Sequence, residues 1–203
     1  MYLLIIPKLR MVMLMTIETL GIEKKILLPY EKERIGPILD QIKLRKLQFQ
    51  HFITINYEKR CDDWTQVVRD NSRLRRFLRK YYKSDIKLIA FIEKHPEPDK
   101  YFFRSYHRHI LLSFPPSCES QKRKHSLNKL IRDNVHSVCP SYTGLKIKDI
   151  YDLDGLLAYC TKQVGKFQQT ISDVVDTRNT DIDLTDLLRQ SRYKEARYQF
   201  NYS

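Results

Sequence analysis

The order of strand-like and helix-like patterns along the middle of the chain limits its possible folds more than any other feature. Alternating β-branched and aromatic residues, typical of strands, cover four stretches: 52–57, 86–95, 106–114 and 144–152. Apolar residues at helical spacing cover three more: 62–82, 120–138 and 153–166. The first helical stretch contains Asp62 and Asp63, either of which can cap its N-terminus. The predicted order is therefore β-α-β-β-α-β-α.

A chain with the order β-α-β-β-α-β forms an antiparallel sheet with its helices packed on one face. The sequence therefore predicts an α+β protein with a ferredoxin-like (RRM-like) fold, whose second sheet face is open to a ligand. We expect an N-terminal extension over 1–50 with a turn near Gly36-Pro37, and a folded domain over 51–167. A polar C-terminal tail over 168–203 has room for one more helix.

The charge of the chain indicates a polyanionic partner. Lysine and arginine number 37 against 24 aspartates and glutamates, which gives a formal net charge of +13 at pH 7. Such a field favours nucleic acid or an anionic membrane surface, and a basic protein with neither partner is the plainer alternative. The apolar N-terminus is interrupted by Lys8, Arg10 and Glu18 before it reaches the length of a bilayer span, and it has no signal-peptide pattern. We therefore expect nucleic acid and no membrane.

Two histidines in "YHRHILL" form a candidate metal site. Residues i and i+2 of a strand point to the same face, so His107 and His109 project together and can share one divalent ion. Glu93 lies on the neighbouring strand of the predicted hairpin and offers a carboxylate oxygen. Two nitrogens and one oxygen suit Mn²⁺ or Mg²⁺ acting on a phosphate. On these residues alone, two solvated histidines beside an ion-paired glutamate remain an equally good interpretation.

A tyrosine and a lysine in "YCTK" form a candidate nucleophile and its cation. Tyr159 and Lys162 stand three apart on a predicted helix and hence on one face. A phenol can attack a phosphodiester when a metal polarises the phosphate and a cation stabilises the attacking or departing oxygen. The chain has 13 tyrosines, so this spacing alone is not specific. Its position after the histidine pair is what makes it a candidate.

Three motifs, "FITINY", "YHRHILL" after a strand with a glutamate, and "YCTK", together resemble those of a known family in the same order. The family is the rolling-circle replication initiators (Rep) of the single-tyrosine type, which are HUH endonucleases, and the resemblance covers 52–166. It implies an HUH endonuclease fold and a metal held by three ligands: Glu93, His107 and His109. It also implies that Tyr159 is the nucleophile, that Lys162 positions the scissile phosphate, and that the bound strand lies near the first motif, at Thr54 and Asn56.

Two departures from the family pattern affect these expectations. Arg108 stands between the histidines, where the family usually has a bulky hydrophobic residue, so we expect the outer face of this strand to be exposed. The loop over 96–105 is longer than in the family, so His95 or Glu97 are alternatives to Glu93 as the third ligand.

The resemblance implies an enzyme that nicks and joins single-stranded DNA at a replication origin of a plasmid, phage or virus, through a 5′-phosphotyrosine. We expect base contacts from the open sheet face, at Tyr57, Arg104 and Tyr106. The sequence contains no Walker-type GxxxxGK[ST], so any helicase would be a partner protein. Four widely spaced cysteines without a CxxC pair argue for reduced thiols and a cytoplasmic location, or the nucleus in a eukaryotic host. A homo-oligomer is left open.

Three alternatives remain open from the sequence. Within the same class the chain could be an HUH transposase or relaxase, although typical relaxases have their tyrosine before the histidines. From another class, a non-catalytic nucleic-acid-binding module of ferredoxin-like fold would stack bases on aromatic residues of its central strands. The third alternative is a basic structural or regulatory protein in which the motifs arise by chance.

Overall fold

The structure is a computed structural model, and it describes residues 26–57, 63–94, 106–115, 118, 124–140, 142–164 and 169–185. Its elements are, in chain order, α1 (Pro29–Leu44), β1 (His51–Tyr57), α2 (Trp64–Tyr82), β2 (Lys87–Lys94), β3 (Tyr106–Ser113), α3 (Lys124–Val138), β4 (Tyr142–Asp149), α4 (Leu153–Cys160) and α5 (Ile171–Val174). The order predicted for 52–166 is confirmed. Asp63 is the N-cap of α2, because its carboxylate accepts a hydrogen bond from the Thr65 amide at 2.8 Å.

The four strands form one antiparallel sheet in the order β2-β3-β1-β4. The predicted hairpin pairs β2 with β3, and β1 lies in the centre between β3 and β4. In this register Glu93 of β2 lies directly opposite His107 of β3, and Thr54 of β1 lies opposite His109. The sheet therefore brings the motif strands side by side. In the described parts of the chain, no helix is both long and apolar enough to span a membrane.

One face of the sheet packs on α2 and α3 and forms the first core. The strands contribute alternate residues such as Ile53 and Ile55, which are fully buried, and α2 contributes Leu74 and Leu78. Because successive strand side chains point to opposite faces, the neighbours of these residues must lie on the other side of the sheet. The first core is thus the helix-covered face that the sequence predicts.

The other sheet face is also covered by helices, so the expectation of helices on one face only is wrong. A second core on that face contains Phe52, Ile89, Phe91 and Leu111 of the strands. It is covered by apolar residues of α1, α4 and the segment 169–185: Ile35, Ile38, Ile42, Leu157, Ala158, Cys160, Ile171, Val174, Val175, Ile182 and Leu184. The cause is visible in the strands themselves, because the runs "LIAFI" and "ILL" are apolar on both faces and require cover on both.

The helix α1 runs through Gly36 and Pro37, so the turn expected there is wrong. Ile35 and Ile38, on either side, are fully buried in the second core. Burial of this apolar stripe outweighs the hydrogen bond that a proline inside a helix forgoes. The boundaries drawn at 50 and 168 stay predictions, and the described residues on both sides of them pack against the sheet.

The segment 175–181 covers the outer edge of β2. The amides of Asp176 and Asp181 donate to the carbonyls of Ala90 and Leu88 at 2.9 and 2.8 Å, and the Leu88 amide donates to the Asp181 carboxylate at 2.9 Å. Val175 forms a bridge with Phe91. An edge occupied in this way is not available to pair with another chain.

Arg108 is fully buried, so the expectation of an exposed outer face on β3 is wrong at this position. Its Nη1 donates to Asn71 Oδ1 at 2.9 Å, and Asn71 Nδ2 donates to Asp176 Oδ2 at 2.8 Å. Its guanidinium carbon lies 5.5 Å from the centroid of the Tyr57 ring. Asn71 of α2 and the Tyr57 ring of β1 thus hold the guanidinium inside the first core, and Asp176 in turn holds Asn71. Arg108 Nε and Nη2 have no hydrogen-bond partner among the described residues.

We expect Ile38→Ala to lower the free energy of unfolding by about 2–5 kcal/mol, because it removes a fully buried side chain that covers the second core. Leu44→Ala on the same helix is the control. Leu44 is 74% exposed, so its loss should change stability by no more than about 0.5 kcal/mol. Urea denaturation of the full chain measures both. Equal, small effects would show that α1 is not part of the cooperatively folded unit.

Candidate active site

The histidine pair and the glutamate lie on the second-core face of the sheet, where Glu93 contacts His109. His107 and His109 share this face because they are two apart on β3, and Glu93 is the cross-strand neighbour of His107. The diagonal contact is the close one: His109 Nε2 lies 3.0 Å from Glu93 Oε2. Both side chains are buried, His109 at 2% exposure and Glu93 at 8%.

Lys162, just after α4, contacts the same glutamate and lies beside Tyr159 of α4. Lys162 Nζ donates to Glu93 Oε1 at 2.7 Å and lies 3.9 Å from the centroid of the Tyr159 ring. The Tyr159 ring contacts the His109 ring edge-on, with centroids 5.4 Å apart. Glu93 therefore links the histidine strand to the Tyr-x-x-Lys motif. Its two partners, His109 and Lys162, are 16 and 69 residues away from it in sequence.

The helix that contains Tyr159 is shorter than predicted. The sequence indicated a helix over 153–166, whereas α4 ends at Cys160 and Lys162 lies in the turn that follows. Lys162 still reaches the same side, because its amide donates to the Tyr159 carbonyl at 3.2 Å and closes a tight turn. Three α4 residues are buried in the second core, namely Leu157, Ala158 and Cys160, while Tyr159 remains 45% exposed.

Electrostatics keep Glu93 ionised and Lys162 charged. Burial alone would raise the pKa of Glu93, but hydrogen bonds from His109 and Lys162 and the charge of the lysine lower this pKa to about 2. Burial alone would lower the pKa of Lys162, and the hydrogen bond and charge of Glu93 outweigh it, so this pKa is raised. An ionised carboxylate can only accept hydrogen bonds, so His109 Nε2 donates to Glu93 in this arrangement.

The first-motif residues lie on the same sheet face as the histidines. Thr54 Oγ1 is 3.2 Å from His109 Nδ1, so this hydroxyl hydrogen-bonds the ring nitrogen that does not face Glu93. Asn56 lies opposite His107 on one side and Gly144 on the other. Phe52, which the sequence did not single out, stacks on the His109 ring at a centroid distance of 5.3 Å. Its position two residues before Thr54 in the strand was the available signal.

The remaining predicted DNA contacts do not gather at this site. Tyr57 and Tyr106 lie on the first-core side: Tyr57 is 4% exposed, and the Tyr106 ring packs edge-on against Trp64 with centroids 6.2 Å apart. Both lie on the sheet face that α2 and α3 cover, since each is an odd number of residues from the site residues on its strand. The expectation of an open sheet face at these two positions is therefore wrong. Arg104, with the alternative ligands His95 and Glu97, lies outside the described residues.

Glu93, His107 and His109 have the right chemistry for a divalent metal, but their side chains do not point to one common position. Two imidazoles and a carboxylate on one face are a donor set that Mn²⁺ accepts. Among the residues that the structure describes, however, no three His, Cys, Asp or Glu side chains group closely enough to hold a metal. Glu93 instead uses its two oxygens for His109 and Lys162. A metal at this site therefore stays a prediction.

The chain has no match to any family model, curated protein or solved structure. The chemistry of the cluster itself is what indicates a function. A half-exposed tyrosine stands beside an ammonium, and a buried carboxylate holds that ammonium in place. Such a group can attack an electrophile that approaches from solvent and carries negative charge.

We expect Glu93→Gln to destabilise the protein near neutral pH, by on the order of 3 kcal/mol, because the buried His109 and the half-buried Lys162 lose their charged acceptor. The pKa of Glu93 in the folded chain, about 2, lies below the ordinary glutamate pKa of 4.5. The difference in unfolding free energy between the native chain and the variant should thus be constant above about pH 5. It should shrink as the pH falls from about 4.5 toward 2. Urea denaturation across this pH range measures it, and a pH-independent difference would contradict the ion-pair role.

Proposed function

We propose that this chain is a single-tyrosine nicking and joining enzyme of the HUH type that acts on single-stranded DNA at a replication origin. One observation carries the proposal: Glu93 contacts both His109 of β3 and Lys162 beside Tyr159. Chance motifs so far apart in sequence have no reason to meet in one cluster. Their meeting also disfavours a structural protein in which they arise by accident.

The architecture supports the same proposal. The strand order β2-β3-β1-β4, with every neighbouring pair antiparallel, is the order that a ferredoxin-like β-α-β-β-α-β chain produces. The rival function, a module that stacks bases on an open sheet, needs exposed aromatic residues on the central strands. On the central strand β1, Phe52 is 9% exposed in the second core and Tyr57 is 4% exposed in the first core. This burial disfavours the rival.

In the proposed reaction, the oxygen of Tyr159 attacks the scissile phosphorus in line. The bond from phosphorus to the 3′ oxygen breaks as the bond to tyrosine forms, which leaves a 5′-phosphotyrosine and a free 3′-hydroxyl. The phenol loses its proton and the departing oxygen gains one. The Lys162 ammonium lies close enough to the ring to stabilise the negative charge that develops there. The number of phosphoester bonds is unchanged, so a 3′-hydroxyl can later reverse the step and join ends.

A divalent ion, Mn²⁺ or Mg²⁺, would be held by Glu93, His107 and His109. When bound it would supply Lewis-acid polarisation of the scissile phosphate. Until then Glu93 keeps Lys162 charged and oriented, and Thr54 and Phe52 hold the His109 ring by a hydrogen bond and by stacking.

The outer surface of α2 supports a polyanionic substrate. Five basic side chains, spaced three or four residues apart along this helix, are exposed: Arg69, Arg73, Arg76, Lys80 and Lys83. We call this set the α2 basic stripe. The helix packs on the first-core face, opposite the face with Tyr159, so the stripe would hold DNA that flanks the cleaved strand through its phosphates, without reading its sequence.

We expect the native chain to form a covalent protein–DNA band with a pool of single-stranded oligonucleotides in Mn²⁺. Tyr159→Phe should abolish the band, because it removes the attacking oxygen. Tyr151→Phe is the matched control: Tyr151 is 67% exposed, lies just before α4, and is outside the cluster. A denaturing gel measures the band. Loss in both variants, or DNA binding with no adduct from any oligonucleotide including those of the source replicon's origin, would contradict the proposed reaction.

We expect the double variant Arg76→Gln, Lys80→Gln to bind single-stranded DNA more weakly and with a shallower salt dependence. Each lost phosphate contact should reduce the slope of log K against log salt by about 0.7. Neither side chain makes an ion pair with any described residue, so the fold should be unaffected. Fluorescence anisotropy at several salt concentrations measures the slope, and an unchanged slope would exclude the stripe from the interface.

A further inference from the structure

We propose that Arg34 of α1 is a positioning residue for the nucleophile helix, and that residues 29–44 are therefore part of the catalytic unit. This inference rests on the proposed function, because it takes Tyr159 as the nucleophile. The sequence motifs lie entirely after residue 51 and assign no role to α1. The contacts of Arg34 supply one.

Arg34 holds the C-terminal turn of α4 by two hydrogen bonds. Its Nη2 donates to the carbonyl of Ala158 and its Nε donates to Thr161 Oγ1, both at 3.0 Å. These two acceptors lie on either side of Tyr159 in the sequence, and Thr161 directly precedes Lys162. Because the guanidinium is a rigid planar fork, two bonds from it restrict both the position and the rotation of this turn.

The helix α4 needs such a contact because it is short. It spans Leu153–Cys160, and a helix of this length is not stable without tertiary contacts. Asp152 caps its N-terminus through the Gly155 amide at 3.0 Å. At the C-terminus the Thr161 hydroxyl donates to the Leu157 carbonyl at 2.8 Å, and Arg34 donates to the Ala158 carbonyl. A cation at this end is also favoured by the helix dipole.

The contact is placed where a small displacement matters for the reaction. Thr161 is fully buried and Arg34 is half-buried, so the fork is partly shielded from water. Tyr159 is 45% exposed, and its ring is held by contacts with Lys162 and His109. An error of about 1 Å in the position of an attacking group can slow a reaction by about 100-fold.

The test compares Arg34→Met with Arg45→Met, an exposed arginine at the end of the same helix. Under saturating oligonucleotide in Mn²⁺, we expect Arg34→Met to slow adduct formation by about 10- to 100-fold with an unchanged Kd for DNA. Arg34→Lys should recover part of the rate, since a lysine can make one of the two bonds. Thr161→Val should also slow the reaction, because it removes the acceptor of one Arg34 bond together with the hydrogen bond to the Leu157 carbonyl. In the double variant the combined effect should be smaller than the sum of the two, because the variants share one contact.

A second readout does not depend on nicking. With 3-fluorotyrosine at position 159, the ¹⁹F signal of the full chain should move toward that of a free tyrosine in Arg34→Met and stay in place in Arg45→Met. An unchanged rate of adduct formation in Arg34→Met overturns the proposal. A weaker affinity for DNA with an unchanged ¹⁹F signal also overturns it, because this result would make Arg34 a DNA contact. If the native chain forms no adduct, the proposed function fails, and the ¹⁹F comparison alone decides whether Arg34 positions Tyr159.

Discussion

The buried carboxylate of Glu93 is the interaction on which the candidate site depends. A charge at this depth is tolerated only when partners satisfy it, and here one oxygen accepts from His109 and the other from Lys162. The carboxylate thereby ties the sheet to the turn after α4. Any ligand that competes for Glu93, a metal included, must also change what holds Lys162 beside the tyrosine ring. The charge state of the site and the position of the nucleophile are thus coupled.

The cover on the second sheet face determines how a substrate can reach this cluster. With α1 and α4 over Phe52, Phe91 and Leu111, the histidine face is an interior layer rather than an open platform. Tyr159 is the most exposed residue of the cluster, at 45%. Under the proposed function, a strand of DNA would meet Tyr159 first, at the edge where α4 lies against α1, with the buried carboxylate and imidazole behind it.

Local sequence patterns were sufficient to predict the order of the strands and helices between 52 and 166. Alternation along the strands was sufficient to predict which side chains of the site share a face. The order of strands and helices between 52 and 166 is confirmed, and Glu93, His109, Tyr159 and Lys162 meet as the sequence indicated. Parity along β3 also puts His107 on the shared face. The same alternation places Tyr57 and Tyr106 on the first-core face, away from the histidines.

Other features were beyond any local rule, because they depend on partners distant in sequence. The proline in α1 is tolerated because the apolar residues around it are buried, and Arg108 is tolerated because Asn71 and the Tyr57 ring meet it inside the first core. By itself, the sequence determined the order of strands and helices between 52 and 166, and which side chains share a face of a strand, since both follow from spacing along one chain. The tertiary structure alone decided that α1 and the segment 169–185 cover the second face, and that Arg34 reaches α4. The contacts of Arg34 join residues 127 and 124 positions apart. The energy of the cover on the second face comes from burial that exists only once the chain has folded.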